Sequence, residues 1–197
     1  MFQVEDYGST FLSGTIEGDE SETYTVSMGG TSFENVSAGQ IITFTGLEPN
    51  NSYDVEVTRL KRYVSLIIVR KGTDPLNIAE VQVFDLDGNN VALEATATQS
   101  STLGDAEASR AIDGNTSGYW ADKSIMHTAR QTSETAQHWW RLVLKEPTKL
   151  SSIVIHNRID SQGTMDRLDG ALIRLDDDTG GWKWEALTTD AVQNVNV

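Results

Sequence analysis

The chain contains no cysteine in 197 residues. That absence removes disulfides, zinc-thiolate centres and thiol nucleophiles together, and suits a protein folded in a reducing compartment or one that works outside without relying on oxidation. Positive charge is scarce: 15 Lys+Arg face 29 Asp+Glu, for a net charge of -14. Such a surface repels phosphate backbones and anionic lipid alike, which argues against generic nucleic-acid binding and membrane association. The longest apolar run, Val64 to Val69, is strand-sized and cannot span a bilayer. At Met1 the sequence FQVEDYGST is acidic and polar, so no secretory signal is visible. Helical periodicity is nowhere sustained, apart from a single turn expected near Asp105 to Arg110. There is also no nucleophile elbow, phosphate loop, paired-histidine metal motif or Cys/His couple, and no enzyme is expected. Carboxylates are plentiful, and a glycosidase needs only two of them, so counting alone does not exclude that chemistry.

What is present is β-strand patterning. A hydrophobic content of 38% supports real cores, and apolar residues alternate in TYTVSM, QIITFTGL and YDVEV, with Gly29-Gly30 and Pro49-Asn50-Asn51 as punctuation. The segment FTGLEPNNSYDVEV resembles the tyrosine corner of fibronectin type III and related sandwiches, with Tyr53 as a core residue. Residues 1–60 are therefore read as a small β-rich module. The cluster RLKR at Arg59 to Arg62 reads as a solvated junction, the usual fate of a short charge run. Beyond it, RYVSLIIVRKG reads as a buried strand, and IAEVQVFDLDGNNVAL as strand, hairpin corner at Asp87-Gly88-Asn89, and strand. The fold class is all-β.

From about Leu76 onward the ordered motifs LNIAEVQVFD, NVAL, ATQSS, ASRAIDGNT, HWWRLVL, IVIHNRID and RLDGALIRL resemble the F-type lectin (fucolectin) family. That family lies within the discoidin, or coagulation factor 5/8 type C, group of eight-stranded β jelly rolls, so residues 61–197 are expected to form such a domain. Sharing the fold would not by itself give the activity. The resemblance implies a fucose site made by His127, by Arg158 with Asp160 two residues on, and by Arg167, with Trp120 against the apolar face of the sugar. The chemistry is sound: a guanidinium offers several fixed donors to neighbouring hydroxyl and ring oxygens, and a carboxylate can hold the arginines in place.

The resemblance also implies a calcium ion (Ca2+) near the Asp-Gly-Asn turn. Its oxygens would come from Arg110 and Asn115 carbonyls, Asp113, Ser124, and Trp184 with Glu185. Read without the family, Asp-Gly-Asn is an ordinary tight turn. His138 and His156 read as structural, at least one of Trp139-Trp140 as core, Arg174 as an ordinary strand arginine, and Asp176-Asp177-Asp178 as a solvated hairpin turn. One departure stands out. Where family members commonly carry adjacent cysteines, this chain has Ser161 to Asp166, which lengthens the interval to Arg167 and leaves fucose preference more open than glycan binding.

The expectation is a calcium-stabilised lectin for fucose or a related terminal sugar. It would act outside the cell, or on a virion or cell surface as a viral, phage or microbial adhesin. Its partners would be glycans, with a homo-oligomer supplying avidity because a single site is weak. Two alternatives stay open: a non-catalytic structural or protein-interaction β-sandwich, and a carbohydrate-binding module of a larger glycoside hydrolase.

Overall fold

The computed structural model describes residues 1–8, 10–19, 22–195 and 197. The chain divides into two compact units, Met1–Lys61 and Arg62–Val197.

The first unit is built from β1 (Phe2–Tyr7), β2 (Phe11–Ile16), β3 (Thr23–Met28), β4 (Thr31–Ser37), β5 (Ile42–Thr45) and β6 (Glu56–Arg59). They form two antiparallel sheets ordered β1-β2-β5 and β4-β3-β6. Ile16, Ile42 and Phe44 from one sheet and Val26, Met28 and Val36 from the other share a single core, so the unit is a small sandwich. Strands β3 and β5 supply that core from alternate positions, Val26 and Met28 and Ile42 and Phe44, because strand side chains point to opposite faces in turn.

Tyr53 does not open a strand as its sequence context suggests. It precedes β6, half-buried against this core, and its hydroxyl accepts a 2.8 Å bond from the Glu48 backbone N–H. That is the tyrosine-corner contact, made back to the chain a few residues upstream. Arg59, at the end of β6, pairs with Glu22 at 3.0 Å and is not a free junction charge.

The second unit contains β7 (Tyr63–Lys71), β8 (Asn77–Ile78), β9 (Glu80–Asp85), β10 (Thr96–Gln99), β11 (Met126–His127), β12 (Gln137–Thr148), β13 (Leu150–His156), β14 (Leu172–Asp177), β15 (Trp182–Ala186) and β16 (Val192–Val195), plus one short helix α1 (Gln162–Met165). A five-stranded sheet ordered β10-β12-β7-β14-β15 faces a three-stranded sheet ordered β16-β13-β9, and β8 and β11 form a separate two-stranded ladder. All pairings are antiparallel. The eight strands of the two main sheets give the expected jelly-roll architecture. Its core joins Leu66, Ile68, Trp140, Leu142, Ile173 and Leu175 to Val81, Val83, Ile153 and Ile155 of the facing sheet.

Trp140 is fully buried and donates its indole N–H to the Ala108 carbonyl at 3.0 Å. The Asp105 to Arg110 turn is present, as a 3-10 segment over Ala108–Ile112. After Asp87-Gly88-Asn89 the chain makes one bridge, Phe84 to Asn90, and then a 3-10 turn at Val91–Glu94 in place of a second strand. The Asn90 side chain explains this: its oxygen accepts from Val83 N–H at 3.0 Å and caps Ala92 N–H at 3.2 Å, which starts the helical turn. Among the described residues no helix is long and apolar enough to cross a membrane.

Removing the corner hydroxyl with Tyr53→Phe should cost about 1 kcal/mol. The loss should appear as a lower urea midpoint for the Met1–Lys61 transition, with Arg62–Val197 unaffected.

Candidate functional site

One end of the jelly roll is built around a run of continuous burial from Pro75 to Val81. Two of its members, Asn77 and Glu80, are polar yet fully buried, and each faces a different part of the site. In the β8–β11 ladder Asn77 stands directly opposite His127. The strand carrying His127 is pinned from behind. Thr128 accepts from the Leu76 N–H at 2.9 Å, and its hydroxyl lies 2.8 Å from Nδ1 of buried His138, whose Nε2 reaches the Gly72 carbonyl at 3.2 Å. His138 is thus structural. So is His156, on the face opposite Ile153 and Ile155 with Nε2 3.1 Å from Gln82.

His127 is buried and makes two contacts that fix its tautomer. Nδ1 lies 2.6 Å from the Thr128 carbonyl and so carries the proton, while Nε2 lies 3.3 Å from Arg167 Nη1 and so accepts. Burial lowers its pKa to about 4, and the nearby Arg167 and Arg158 charges act in the same direction. Arg167 Nη1 also donates to Asn77 Oδ1 at 3.2 Å. Loss of hydration, followed by the charge of Arg158, lowers the Arg167 pKa too.

The remaining residues close the cluster. Arg158 lies over the Trp120 ring at 4.8 Å, and the Trp120 and His127 rings meet edge to face at 5.6 Å. Asp160 accepts from Arg158 Nε and from the Trp120 backbone N–H at 3.1 Å. Burial alone would push the Asp160 carboxyl up, but the Arg158 and Trp120 donors outweigh it and hold the group below its usual range. His127, Arg158, Asp160, Arg167 and Trp120, taken from four separate segments, therefore form one network.

Two features let those segments meet. Gly118 lies so close to the 157–160 segment that a Cβ would stand 2.6 Å from Ile159 and 2.8 Å from the Asn157 carbonyl. The long Ser161 to Asp166 stretch folds as α1, and buried Asn157 and Asn77 hold it by donating to the Met165 carbonyl at 3.1 Å and the Thr164 carbonyl at 3.4 Å. The added length is taken up by a helical turn, and Arg167 remains against His127.

Residues 110–196 match the family described as NedA-like, galactose-binding domain. Among curated proteins the chain is similar to Fucolectin-3 of Anguilla japonica, 42% identical over 91 residues that make up 44% of this chain and 47% of that protein. It is also similar to Fucolectin of Anguilla anguilla, 37% identical over 91 residues, 44% of this chain and 54% of that protein. A third relative is a pentraxin fusion protein of Xenopus laevis, 34% identical over 97 residues, 49% of this chain and 22% of that protein. The Arg62–Val197 unit is similar to the F-type lectin and discoidin-like family. The chain spans about half the length of the fucolectins it matches. No solved structure matches it.

The family's implied cation tests differently from its sugar site. Asp113 accepts from Asn115 N–H at 2.8 Å, Asn115 from Ser117 N–H at 3.2 Å, and buried Ser124 hydrogen-bonds to the Ser117 carbonyl, so Asp113, Asn115 and Ser124 share one compact loop. Arg110 enters this loop from the 3-10 segment with its side chain turned to Asp105 at 2.9 Å.

Trp184 and Glu185 are placed elsewhere. They lie on β15, where Trp184 packs on Arg174 and Trp182. β15 is the opposite edge of the five-stranded sheet from β10, against which the Ala108–Ile112 segment packs. Four strand spacings separate those edges by about 19 Å. The remote carboxylate that does meet the loop is Glu80. Its Oε1 accepts from the N–H of Gly114, a left-handed residue at φ +84°, and its Oε2 is buried with no hydrogen-bond partner. Burial first, and then the charge of Asp113, raise its pKa to about 7.

A buried carboxylate oxygen without a donor, beside a second carboxylate, fits a hard cation. Among the described residues no three His, Cys, Asp or Glu side chains are placed to hold a metal ion together, so carbonyl and hydroxyl oxygens would have to complete the shell. The acidic stretch after β14 has a different role. Asp177 is buried, and its Oδ1 accepts from Thr179 N–H at 3.0 Å and Gly181 N–H at 2.7 Å, so it holds its own hairpin turn together.

Sequence reading missed both Asn77 and Glu80. The only available signal was two polar residues inside an otherwise apolar run, and which groups they face depends on strand pairing.

Folded His127 stays neutral down to about pH 4, whereas in the unfolded chain it takes up a proton near pH 6.5. The contribution of His127 to stability should be full above about pH 6.5 and fall by up to about 3 kcal/mol as the pH drops to 4. His127→Gln should flatten that part of the profile in urea midpoints measured across pH.

Proposed function

We propose that the Arg62–Val197 unit recognises carbohydrate without catalysis, taking fucose or a related terminal sugar at the His127, Arg158, Asp160, Arg167 and Trp120 cluster. The observation that carries this reading is the convergence of an imidazole acceptor, two guanidinium forks and a half-buried indole at one place. The guanidiniums donate to vicinal hydroxyl or ring oxygens, and the neutral imidazole can accept from a hydroxyl at Nε2 in exchange for its long contact with Arg167. Trp120 supplies an apolar surface for the C–H side of the ring. Asp160 orients Arg158 and offsets the repulsion between the arginines. The names of the fucolectin relatives support a fucose-type ligand.

The same reading includes a structural calcium ion. Glu80 and Asp113 would hold it, with Asn115, Ser124 and the Arg110 carbonyl. A bound divalent cation would neutralise the facing carboxylates and tie the 113–124 loop, which carries Trp120, to β9. Each site contributes few charge-assisted bonds and loses much of their energy to desolvation, so the binding is weak per site and suits surface display in several copies.

Titration calorimetry of the intact chain with methyl α-L-fucoside should show binding that weakens at least about tenfold in His127→Ala or Arg158→Ala, the loss of one or two hydrogen bonds to the sugar. A correctly folded chain that binds no member of a broad glycan array would refute the carbohydrate reading.

For the cation, EDTA should lower the melting temperature of the wild-type unit, and calcium should restore it. Glu80→Gln should abolish this response, and Glu185→Gln should retain it.

A further inference from the structure

Charge is distributed very unevenly around this cup. Arg70 Nη1 donates to the Arg167 carbonyl at 2.6 Å, and Asp74 lies between Arg70 at 3.8 Å and Arg130 at 3.1 Å. Arg158 is paired with Asp160. Four arginines are thus joined by contacts, and the carboxylates that meet them are Asp74 and Asp160. Four positive charges against two negative ones leave +2, in a chain whose formal net charge is -14. His127 adds none, because it is neutral.

Arg167 concentrates the imbalance. It makes no carboxylate contact among the described residues, although Arg59, Arg62, Arg70, Arg110, Arg130, Arg158 and Arg174 all do. Its Nη1 is directed at Asn77 and His127, which leaves its Nε–H and Nη2 hydrogens without an acceptor among the described residues. That edge of a guanidinium presents two parallel donors, and its natural complement is a pair of oxygens sharing a negative charge. Arg130, 64% exposed beyond Asp74, extends the positive field toward solvent. A neutral sugar would leave this charge uncompensated in a place already partly stripped of water.

We infer that the cup takes an acidic saccharide, a sugar ring bearing a sulfate ester or a carboxylate, with the oxyanion on the free edge of Arg167 and within the field of Arg130 and Arg70. This rests on the carbohydrate reading above and narrows its ligand class. An oxyanion there accepts two charge-assisted bonds and cancels much of the surplus charge.

The test is calorimetric titration of the whole chain with methyl α-L-fucoside, with its sulfate ester and with the methyl glycoside of a uronic acid. At low salt the sulfated or the carboxylated sugar should bind about tenfold more tightly than the neutral one, and whichever does so identifies the substituent. The advantage should shrink severalfold at about 0.5 M salt, where exposed charges are screened. Arg130→Gln, a surface change that leaves the core intact, should narrow the ratio of acidic to neutral affinity. Equal affinity for neutral and acidic sugars would overturn the inference while leaving the lectin reading standing. A preference insensitive to both salt and Arg130→Gln would overturn it as well. Failure to bind any of the three sugars would remove the inference together with the reading beneath it.

Discussion

The site depends on a single short ladder. Pairing of β8 with β11 sets Asn77 opposite His127, and both then reach Arg167 Nη1. An arginine held by a neutral imidazole and an amide keeps its full charge and part of its donor set, whereas one held by a carboxylate would be neutralised. The ladder itself is too short to be stable alone. It persists because Thr128 and His138 anchor one side and the continuous buried run from Pro75 to Val81 anchors the other.

Two polar residues in that run do opposite electrostatic work. Asn77 is neutral and leaves a positive charge exposed to a ligand, while Glu80 brings a carboxylate into the interior and leaves one of its oxygens without a donor. The first arrangement suits an oxygen-rich ligand at the surface, and the second suits a cation inside the loop. The Trp120 loop lies between them: Glu80 meets it at Gly114, and the 157–160 segment meets it at Gly118. Order in that loop is thereby coupled to the aromatic wall of the cup.

The sandwich of Met1–Lys61 has a separate logic. Its core is small, alternation is clearest in β5, and the Tyr53 corner fastens the ten-residue connection between β5 and β6. Arg59 and Arg62, which look from the sequence like a loose basic junction, are each held by a carboxylate, Glu22 and Asp178 respectively.

Alternation of apolar residues marked the all-β class, the apolar run Val64 to Val69 marked the central strand β7, and a Leu, Pro-turn, Tyr pattern marked the tyrosine corner, because these features depend on local periodicity and turn chemistry. Ordered motifs pointed to His127, Arg158, Asp160, Arg167 and Trp120, all of which the fold gathers. The 3-10 turn that replaces a second strand after Asp87-Gly88-Asn89 was hidden, since Asn90 starts it by bonding to Val83 across a turn. Glu80 and Asn77 were hidden for the same kind of reason. Their neighbours are 34 and 90 residues away, at Gly114 and Arg167, and only tertiary pairing brings them there. Composition fixed the overall negative charge, but the positive cup within it exists only because packing collects four arginines and admits two carboxylates.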